Sequence, residues 1–444
     1  MSAESTESVA TPPREFSVTF RDKGLWIIVA LTLVVAGIAQ LIGMRVLPLG
    51  SATITFLPMI WALLLGVLIS GQRWKPLPVD MQHTANAVMA IAVLVLCARL
   101  SLTLGPNVPA LVEAGPALLL QELGNVFGSI LLALPLAVLL RMGPATIGAT
   151  FSIDREPSFA MVTSRYGSDS PQYRGVLSMY VFGSIFGAII VSLVASLVSS
   201  LGIFRWEALA MGSGIGSSSM MAAGIASVSI AHPDQASQVQ AYATTANLIA
   251  AVIGIYLTMY ISLPLAEKFY NLLTRRQKPG KESAGASAAL ASVLDTPKVN
   301  IPLWLNLTVL SGIGLVIAMI ASKSFSIDMV LTYVVLSVMV ALSVLLAQAT
   351  KGKVPALITV ITLGTLLSSP ISPIAPWLLG IATSVDFTTV ITVMLAIAGL
   401  SMGKDLPMLR QIGWKIIPVG FVVIAATFLA STVIGEFVLA LLHR

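Results

Sequence analysis

Long apolar runs, each about the length of one membrane crossing, recur along nearly the whole chain. Eleven can be drawn, at residues 24–44, 51–70, 86–105, 117–140, 176–200, 239–264, 303–321, 327–347, 354–369, 387–402 and 414–442. An α-helix needs roughly 20 apolar residues to cross about 30 Å of hydrocarbon, whereas the strands of a membrane barrel are shorter and alternate in polarity. The runs therefore predict an all-α integral membrane protein with about eleven transmembrane helices.

Charge and composition agree with a membrane location. Of the 444 residues, 57% are hydrophobic and 10% are charged, and the mean hydropathy is +0.94. The net charge of +6 does not indicate nucleic acid, because Lys and Arg lie mainly in loops, as the positive-inside rule requires. We expect a multi-pass protein of the cytoplasmic (inner) membrane whose partners are the lipid bilayer and a small-molecule substrate. A homodimer is an open alternative.

Two segments are too polar or too broken to be ordinary crossings, and we interpret both as re-entrant hairpins, at 145–163 and 206–231. The polar residues 1–23 lack the features of a signal peptide, which predicts a cytoplasmic tail. Most basic loops then fall inside only if both hairpins return to their own side. The basic loop 269–300 becomes a cytoplasmic linker between an N-terminal membrane half (24–268) and a C-terminal half (301–444).

The second broken segment interrupts an apolar stretch with glycine and serine. Its candidate binding residues are Ser213, Gly214, Gly216, Ser217, Ser218 and Ser219. Non-helical backbone at membrane depth survives only where it is buried in protein or lines a watery cavity, and in transporters such breaks bind the cargo. Serine hydroxyls could complete the shell of a cation or a carboxylate. Close helix packing through small residues is the alternative.

The first broken segment contains three consecutive charged residues followed by proline. The candidate residues are Ser152, Asp154, Arg155, Glu156 and Ser158. Proline and serine before an apolar stretch fit a helix N-terminus, which favours anions, so an anionic cargo group could dock there with Arg155 as its partner. Asp154 or Glu156 could instead hold Na⁺ or a proton. The alternative is that these charges are solvated at the cytoplasmic rim.

Two asparagines inside predicted crossings, Asn125 and Asn247, could line the cavity beside the hairpins, or could simply bond to helix carbonyls. We expect no cofactor and no bound metal beyond a Na⁺ site at the hairpin tips. The single cysteine, Cys97, lies in an apolar run, and the histidines do not form a zinc-binding motif. Dinucleotide, nucleotide-phosphate and serine-hydrolase motifs are also missing, so the chain does not read as an enzyme.

A weak internal repeat joins the two halves. The sequence LSLTLGPNVPALVEAG at 100–115 is similar to LSMGKDLPMLRQIG at 400–413 when a two-residue gap is allowed. In the predicted topology the first loop lies outside and the second inside, so the copies are inverted. Inverted repeats are typical of secondary transporters. Chance similarity between Leu- and Gly-rich helices is the alternative.

On residues 148–158, 211–221 and the tail AIAGLSMGKDLPML at 396–409, the chain resembles a bacterial family of polytopic membrane proteins known only as a domain of unknown function, number 3100. It is more distantly similar to the superfamily of glutamate:sodium symporters, 2-hydroxycarboxylate transporters and YeiH-like exporters. That resemblance implies an inverted-repeat, elevator-type transporter fold in which two opposed hairpins meet near the midplane. The charges at Asp154, Arg155 and Glu156 depart from the symporter pattern, which leaves the substrate and coupling ion open.

These features predict a secondary active transporter for a small polar or charged organic solute, an organic anion or an amino acid, coupled to Na⁺ or H⁺. No nucleotide-binding motif is available to drive transport with ATP. A non-transporting receptor or assembly subunit is the alternative, and an intramembrane enzyme is the third.

Overall fold

The computed structural model describes residues 15–49, 52–72, 74–153, 158, 161–162, 165–166, 170–275, 298–351, 354–405 and 413–442. These parts of the chain are predominantly helical. Before the basic loop the helices are α1 (Lys23–Ile42), α2 (Pro58–Gly71), α3 (Val79–Ser101), α4 (Leu104–Glu113), α5 (Gly115–Leu120), α6 (Glu122–Leu139), α7 (Ala145–Thr150), α8 (Pro171–Leu201), α9 (Trp206–Ser213), α10 (Ser218–Ala231), α11 (Ala236–Ile249), α12 (Ile255–Leu257) and α13 (Leu263–Thr274).

After that loop the helices are α14 (Leu303–Ser322), α15 (Ile327–Ala349), α16 (Ala356–Ser368), α17 (Ala375–Ala382), α18 (Phe387–Ser401) and α19 (Ile416–Leu442). Two π-helical segments, Ala250–Gly254 and Thr258–Ser262, separate α11, α12 and α13. Short 3₁₀ turns at Pro233–Gln235 and Gly403–Asp405 precede α11 and follow α18.

In the described chain, seven helical stretches are long and apolar enough to cross a membrane, and the pair α17 and α18, bent by 60°, adds an eighth if it is one span. The prediction of an all-α membrane protein is therefore confirmed as a class. The set is smaller than the eleven predicted runs because α2 and α16 are short and because two π-helical segments divide the 239–264 run.

The structure also contains two small sheets that the sequence interpretation did not include. Strands β2 (Arg45–Leu49) and β3 (Ala52–Phe56) form an antiparallel hairpin between α1 and α2. Consequently the run predicted at 51–70 becomes helical only at Pro58, which occupies the favoured first position of a helix. Strands β1 (Glu15–Ser17) and β4 (Lys298–Asn300) pair in parallel, so the starts of α1 and α14 lie together.

Helices run between two ends of the bundle, which we call the Lys23 end and the Ile42 end after the two ends of α1. Helices α3 and α18 lie antiparallel. Near one end of the pair, Arg99 Nε donates to the carbonyl oxygen of Val385 over 3.1 Å, and near the other the backbone N–H of Lys404 donates to Gln82 Oε1. Arg99 thus binds the backbone at the bend between α17 and α18.

Helix α2 lies parallel to α18. A Cβ at Gly66 would stand 2.9 Å from Gly399 Cα, and Ser70 Oγ donates to the carbonyl oxygen of Gly399 over 2.8 Å. Close backbone approach of this kind needs small residues at the contact. The two helices therefore pack along a short path of glycine and serine.

Helix α16 makes the equivalent contact on α3. Gly364 packs directly on the Ser101 side chain, and Ser368 Oγ lies 3.5 Å from the carbonyl oxygen of Ser101. The two helices run parallel, because Gly105, which follows α3, packs on Ser368.

Helices α6 and α19 lie antiparallel through a similar contact. Gly124 packs on Ser431, whereas Gly128 packs on Ala426, so the α6 numbers rise as those of α19 fall. Helix α19 therefore begins at the Lys23 end, where α6 ends.

Two clusters of buried apolar side chains form the interior. One consists mainly of residues from α1, α2, α3 and α14–α18, and the other of residues from α5, α6, α8, α9, α11 and α19. Helix α10 contributes to both, since Met221 belongs to the first cluster and Met220 to the second. The hairpin arm α10 therefore lies at the boundary between the two clusters.

Candidate functional site

Helices α9 and α10 form a helical hairpin between the end of α8 and the start of α11. Helix α10 runs parallel to α8, because Gly187 faces Met220 and, further along both helices, Ser192 Oγ lies 2.8 Å from Ser227 Oγ. Since α8 and α10 end at the same side of the bundle and α9 starts after α8, the hairpin begins and ends at one side.

The first arm, α9, runs antiparallel to α19. A Cβ at Gly435 would lie 3.2 Å from Met211 Sδ, and one at Gly212 would lie 3.0 Å from the carbonyl oxygen of Phe428. An ion pair of 3.3 Å joins Arg205 to Glu436 where α9 starts. The junction between α9 and α10, residues 214–217, therefore lies level with the middle of α8 and α19.

The hairpin tip is held by one asparagine of α11. Asn247 Nδ2 donates to the carbonyl oxygens of Gly214 and Gly216 over 2.8 and 3.1 Å. Gly216 has a φ of +67°, which glycine adopts without strain. A Cβ added at Gly214 would lie only 2.5 Å from the Cβ of Ala246, so this position also needs glycine. Asn247 thus bonds to the free carbonyls of a broken helix, which lipid cannot do.

The serines of the tip have different roles. Ser213 is buried, and its hydroxyl donates back to the carbonyl oxygen of Leu209. Ser217 caps α10 by accepting from the backbone N–H of Met220, and its Oγ lies 2.9 Å from Ser219 Oγ. The Ser217–Ser219 pair is only half-buried, so these two hydroxyls, rather than that of Ser213, are available to a ligand.

Ser218 hydrogen-bonds to the side chain of Cys97 on α3. Cys97 is 2% exposed, as its position in an apolar run of the sequence indicated. This contact joins the start of α10 to the helix group built from α3, α16 and α18. The sequence contains no signal for it, because the two residues are distant along the chain.

The first broken segment begins with α7, which crosses the start of α8 at two glycines. Gly148 packs on the carbonyl oxygen of Gln172, and Gly175 packs on that of Ala145. After α7 ends, Ser262 Oγ donates to the carbonyl oxygen of Phe151. A carbonyl left over where α7 ends is therefore hydrogen-bonded by Ser262, which belongs to the π-helical segment Thr258–Ser262.

The two broken segments meet. A Cβ at Gly216 would lie 3.2 Å from Ile153 Cδ1. Beside this contact is a small cleft with room for about one water molecule. It is lined by Ser152, Ile153, Ser158, Val176, Met179, Tyr180 and Gly183. The candidate residues Asp154, Arg155 and Glu156 lie outside the described residues.

The other predicted asparagine has a different partner. Asn125 Nδ2 donates to Glu122 Oε1 over 2.7 Å, and its described contacts lie on α6 rather than on the hairpin. Glu122 is 1% exposed, and Gln121 Nε2 lies 3.5 Å from its Oε2. We did not single out Glu122 from the sequence, although an acid inside an apolar run was a sufficient signal.

An ion pair at the Lys23 end ties the chain just after the first broken segment to α13. Both guanidinium contacts from Arg165 to the Glu267 carboxylate are 2.6 Å, and Tyr166 also donates to it. Burial raises the pKa of Glu267, but the hydrogen bonds from Arg165 and Tyr166 outweigh it and hold the pKa below its ordinary value. The carboxylate is therefore ionised at neutral pH.

Within the described chain, no group of three His, Cys, Asp or Glu side chains is placed to hold a metal ion. At the meeting point of the broken segments, the described residues that line the small cleft present hydroxyl and backbone groups. Such groups can bind a polar solute or an alkali cation through oxygen atoms.

Comparison with known proteins identifies the family but not an activity. No curated protein and no solved structure matches the chain, so the wider resemblance to the symporter superfamily has no support from these comparisons. A family described as Protein of unknown function (DUF3100) matches residues 37–272, from α1 to α13, which is more than half of the chain. The chain belongs to this family.

Proposed function

We propose that this protein is a secondary active transporter that moves a small polar or charged organic solute, an organic anion or an amino acid, across the cytoplasmic membrane with a Na⁺ or H⁺ gradient. One observation carries the proposal. Two broken helical segments meet at Ile153 and Gly216, level with the middle of the long helix α8. Discontinuous helices at the midplane are the sites where secondary transporters bind substrate and ion.

The lining of this meeting point suits a polar solute. Ser152 and Ser158 line the cleft, and the hydroxyls of Ser217 and Ser219 lie at the adjoining tip. The cleft holds only about one water molecule, so a larger solute requires the segments to separate. Movement of the hairpin between the two apolar clusters would provide that space.

The helix packing supports an inverted repeat. Gly66 and Ser70 of α2 pack on α18 just as Gly364 and Ser368 of α16 pack on α3, and both pairs have the same spacing. Exchanging α2 with α16 and α3 with α18 therefore reproduces the contacts. The pairs α3/α18 and α6/α19 are antiparallel, as a two-fold axis in the membrane plane requires.

This symmetry favours eleven crossings. The seven long spans and the bent pair α17–α18 are joined by the short helices α2 and α16 and by the composite helix α11–α13. Helices α7 and α9–α10 are then the arms of two re-entrant segments. They enter from opposite ends, the first from the Lys23 end and the second from the Ile42 end.

Charge supports an orientation with the Lys23 end in the cytoplasm. Described basic residues at that end are Arg21, Lys23, Lys75, Arg141, Arg165, Arg174, Lys268, Arg275, Lys298, Lys351, Lys404 and Lys415. Those at the Ile42 end are fewer, namely Arg45, Arg99, Arg205 and Lys323. The positive-inside rule assigns the richer end to the cytoplasm.

Ligand-dependent stability followed by uptake tests the proposal. Purified protein is heated with carboxylates, amino acids and Na⁺, because a ligand present at about 100 times its Kd stabilises the folded state by about 2.7 kcal/mol. Each stabilising solute is then offered to proteoliposomes with a Na⁺ or H⁺ gradient. We expect accumulation above the equilibrium level. A solute that binds but is never accumulated under either gradient would favour the receptor alternative.

A further inference from the structure

The side chains around Glu122 form a polar cluster inside an otherwise apolar span. Glu122 lies in the 25-residue stretch Gly115–Leu139, about 10 Å along the helix from its start. The carboxylate is 1% exposed. A charged side chain at this depth is costly and marks an ion or proton pathway more often than a packing position.

The cluster presents donors to the carboxylate. Asn125 Nδ2 lies 2.7 Å from Oε1, and Gln121 Nε2 lies 3.5 Å from Oε2. A Na⁺ site would instead surround the cation with acceptor oxygens. Two amide N–H groups facing the carboxylate repel a cation and stabilise the ionised acid.

A second, independent observation concerns Gln121. This residue is 1% exposed, and its Oε1 has no hydrogen-bond partner. A buried acceptor without a donor costs about 1–3 kcal/mol. If the Gln121 amide rotates by half a turn, Oε1 faces Glu122, whose protonated form carries the O–H that this acceptor lacks. Gln121 can therefore hydrogen-bond to the Glu122 carboxyl in either protonation state, as a donor to the ionised form or as an acceptor from the protonated form.

The carboxylate also rests against a π-helical segment. A Cβ at Gly254, the last residue of Ala250–Gly254, would lie 2.7 Å from Glu122 Oε1, so only glycine leaves room for the acid. Such π-helical turns occur frequently at functional sites. Gly254 is about two helical turns beyond Asn247, which holds the hairpin tip. A change at Glu122 therefore acts on the helix that supports the tip.

Among the described residues, few other titratable groups lie near this cluster. Outside the Lys23 end, the elements packed against α5 and α6, together with the adjoining helix α12, contribute Glu113, Tyr242, Tyr256, Tyr260 and Glu436. Glu436 pairs with Arg205, and the hydroxyl of Tyr242 donates to a backbone carbonyl. Tyr256 and Tyr260 are largely exposed on the outer surface of the bundle.

We propose that Glu122 is the proton-binding site that couples transport to an H⁺ gradient, with Asn125 and Gln121 as its positioning residues. In each cycle the carboxylate takes up one proton from one side and releases it to the other. The inference rests on the proposed transport function and names its coupling ion.

Infrared spectroscopy of the full-length protein across a pH titration tests proton binding without a substrate. The wild type should show a protonated buried-carboxyl band that disappears as the pH rises. Glu122→Gln, which keeps the shape and the Asn125 contact, should lack this band. The matched control Glu113→Gln, which removes an exposed acid on α4, should keep it. A Glu122→Gln spectrum identical to the wild type overturns the proposal.

Coupling is tested by labelling Ser217→Cys in a Cys97→Ser background with a membrane-impermeant maleimide. Between acidic and alkaline pH we expect the labelling rate to change about tenfold, within the usual range of coupling between sites. The added Glu122→Gln change should abolish that pH dependence. A pH dependence that persists in Glu122→Gln overturns the coupling role. A third outcome separates the two proposals. If the infrared band titrates as expected but Ser217→Cys is never accessible from both sides of the membrane, the transport function is contradicted and the proton site at Glu122 stands.

Discussion

Asn247 is the side chain on which the hairpin tip most depends, and replacing it gives a quantitative prediction. Its amide is the donor for two carbonyls, of buried Gly214 and of half-buried Gly216. In Asn247→Ala the buried carbonyl of Gly214 loses its donor, which costs about 1–3 kcal/mol. The carbonyl of Gly216 is half-buried, so water can replace the donor there. We therefore expect the hairpin to open more easily by about 2 kcal/mol.

Hydrogen exchange measured by mass spectrometry reports this local opening. A change of about 2 kcal/mol corresponds to about a 30-fold larger opening constant, and amides that exchange through local opening follow that constant. Peptides from 206–231 should exchange about 30-fold faster, while peptides from α14 and α15 should not change. Asn247→Leu keeps the volume without the donor and should behave like Asn247→Ala.

Asn107→Ala is the matched control. That amide donates to the carbonyl oxygen of Thr103 over 2.8 Å and lies 3.3 Å from Ser237 Oγ near the surface, so water can replace it. Surface substitutions of this kind change stability by less than about 0.5 kcal/mol, or about twofold in exchange. If the 206–231 peptides of Asn247→Ala exchange within about twofold of the wild type, the Asn247 amide does not hold the hairpin tip closed.

Three further predictions concern other contacts. Gly214→Ala would place a Cβ 2.5 Å from that of Ala246 and should lower the free energy of unfolding by about 1–3 kcal/mol. Gly312→Ala, whose Cβ would meet no atom within 4 Å, should be tolerated. Thermal unfolding of both variants in detergent measures the difference. The pKa of Glu267 is lowered in the folded state, so its ion pair with Arg165 contributes about 1 kcal/mol above the ordinary carboxyl pKa and is lost as the pH falls through the lowered value. Glu267→Gln should remove that acid-side loss from a pH series of unfolding temperatures. Native protein should not react with an impermeant thiol reagent at Cys97 unless it is first unfolded, and rapid modification of the folded protein would contradict its burial.

The broken second segment could be located from the sequence alone. Glycine and serine between apolar stretches have a direct local consequence, and helices α9 and α10 occupy the same residues as the predicted segment 206–231. The class of protein follows in the same way from the length of the apolar runs, because hydrocarbon thickness sets the length of a spanning helix.

Features that depend on tertiary contacts could not be predicted. Asn247 was one of several polar residues in predicted crossings, and only the fold shows that its amide reaches two carbonyls far away in the sequence. Asn125 looked equivalent but belongs with Glu122. The π-helical segments have no simple sequence signature, and the β2–β3 hairpin was hidden in what read as a helical run.

A secondary transporter exposes its binding site in turn to each side of the membrane, so access to the hairpin tip from both sides separates a transporter from a receptor. Ser217→Cys, in a Cys97→Ser background, is labelled with an impermeant maleimide in right-side-out and in inside-out vesicles. For a transporter we predict labelling from both sides, with the balance shifted by a transported solute or by an ion gradient. Labelling from one side only, unchanged by any solute or gradient, would contradict the transport function.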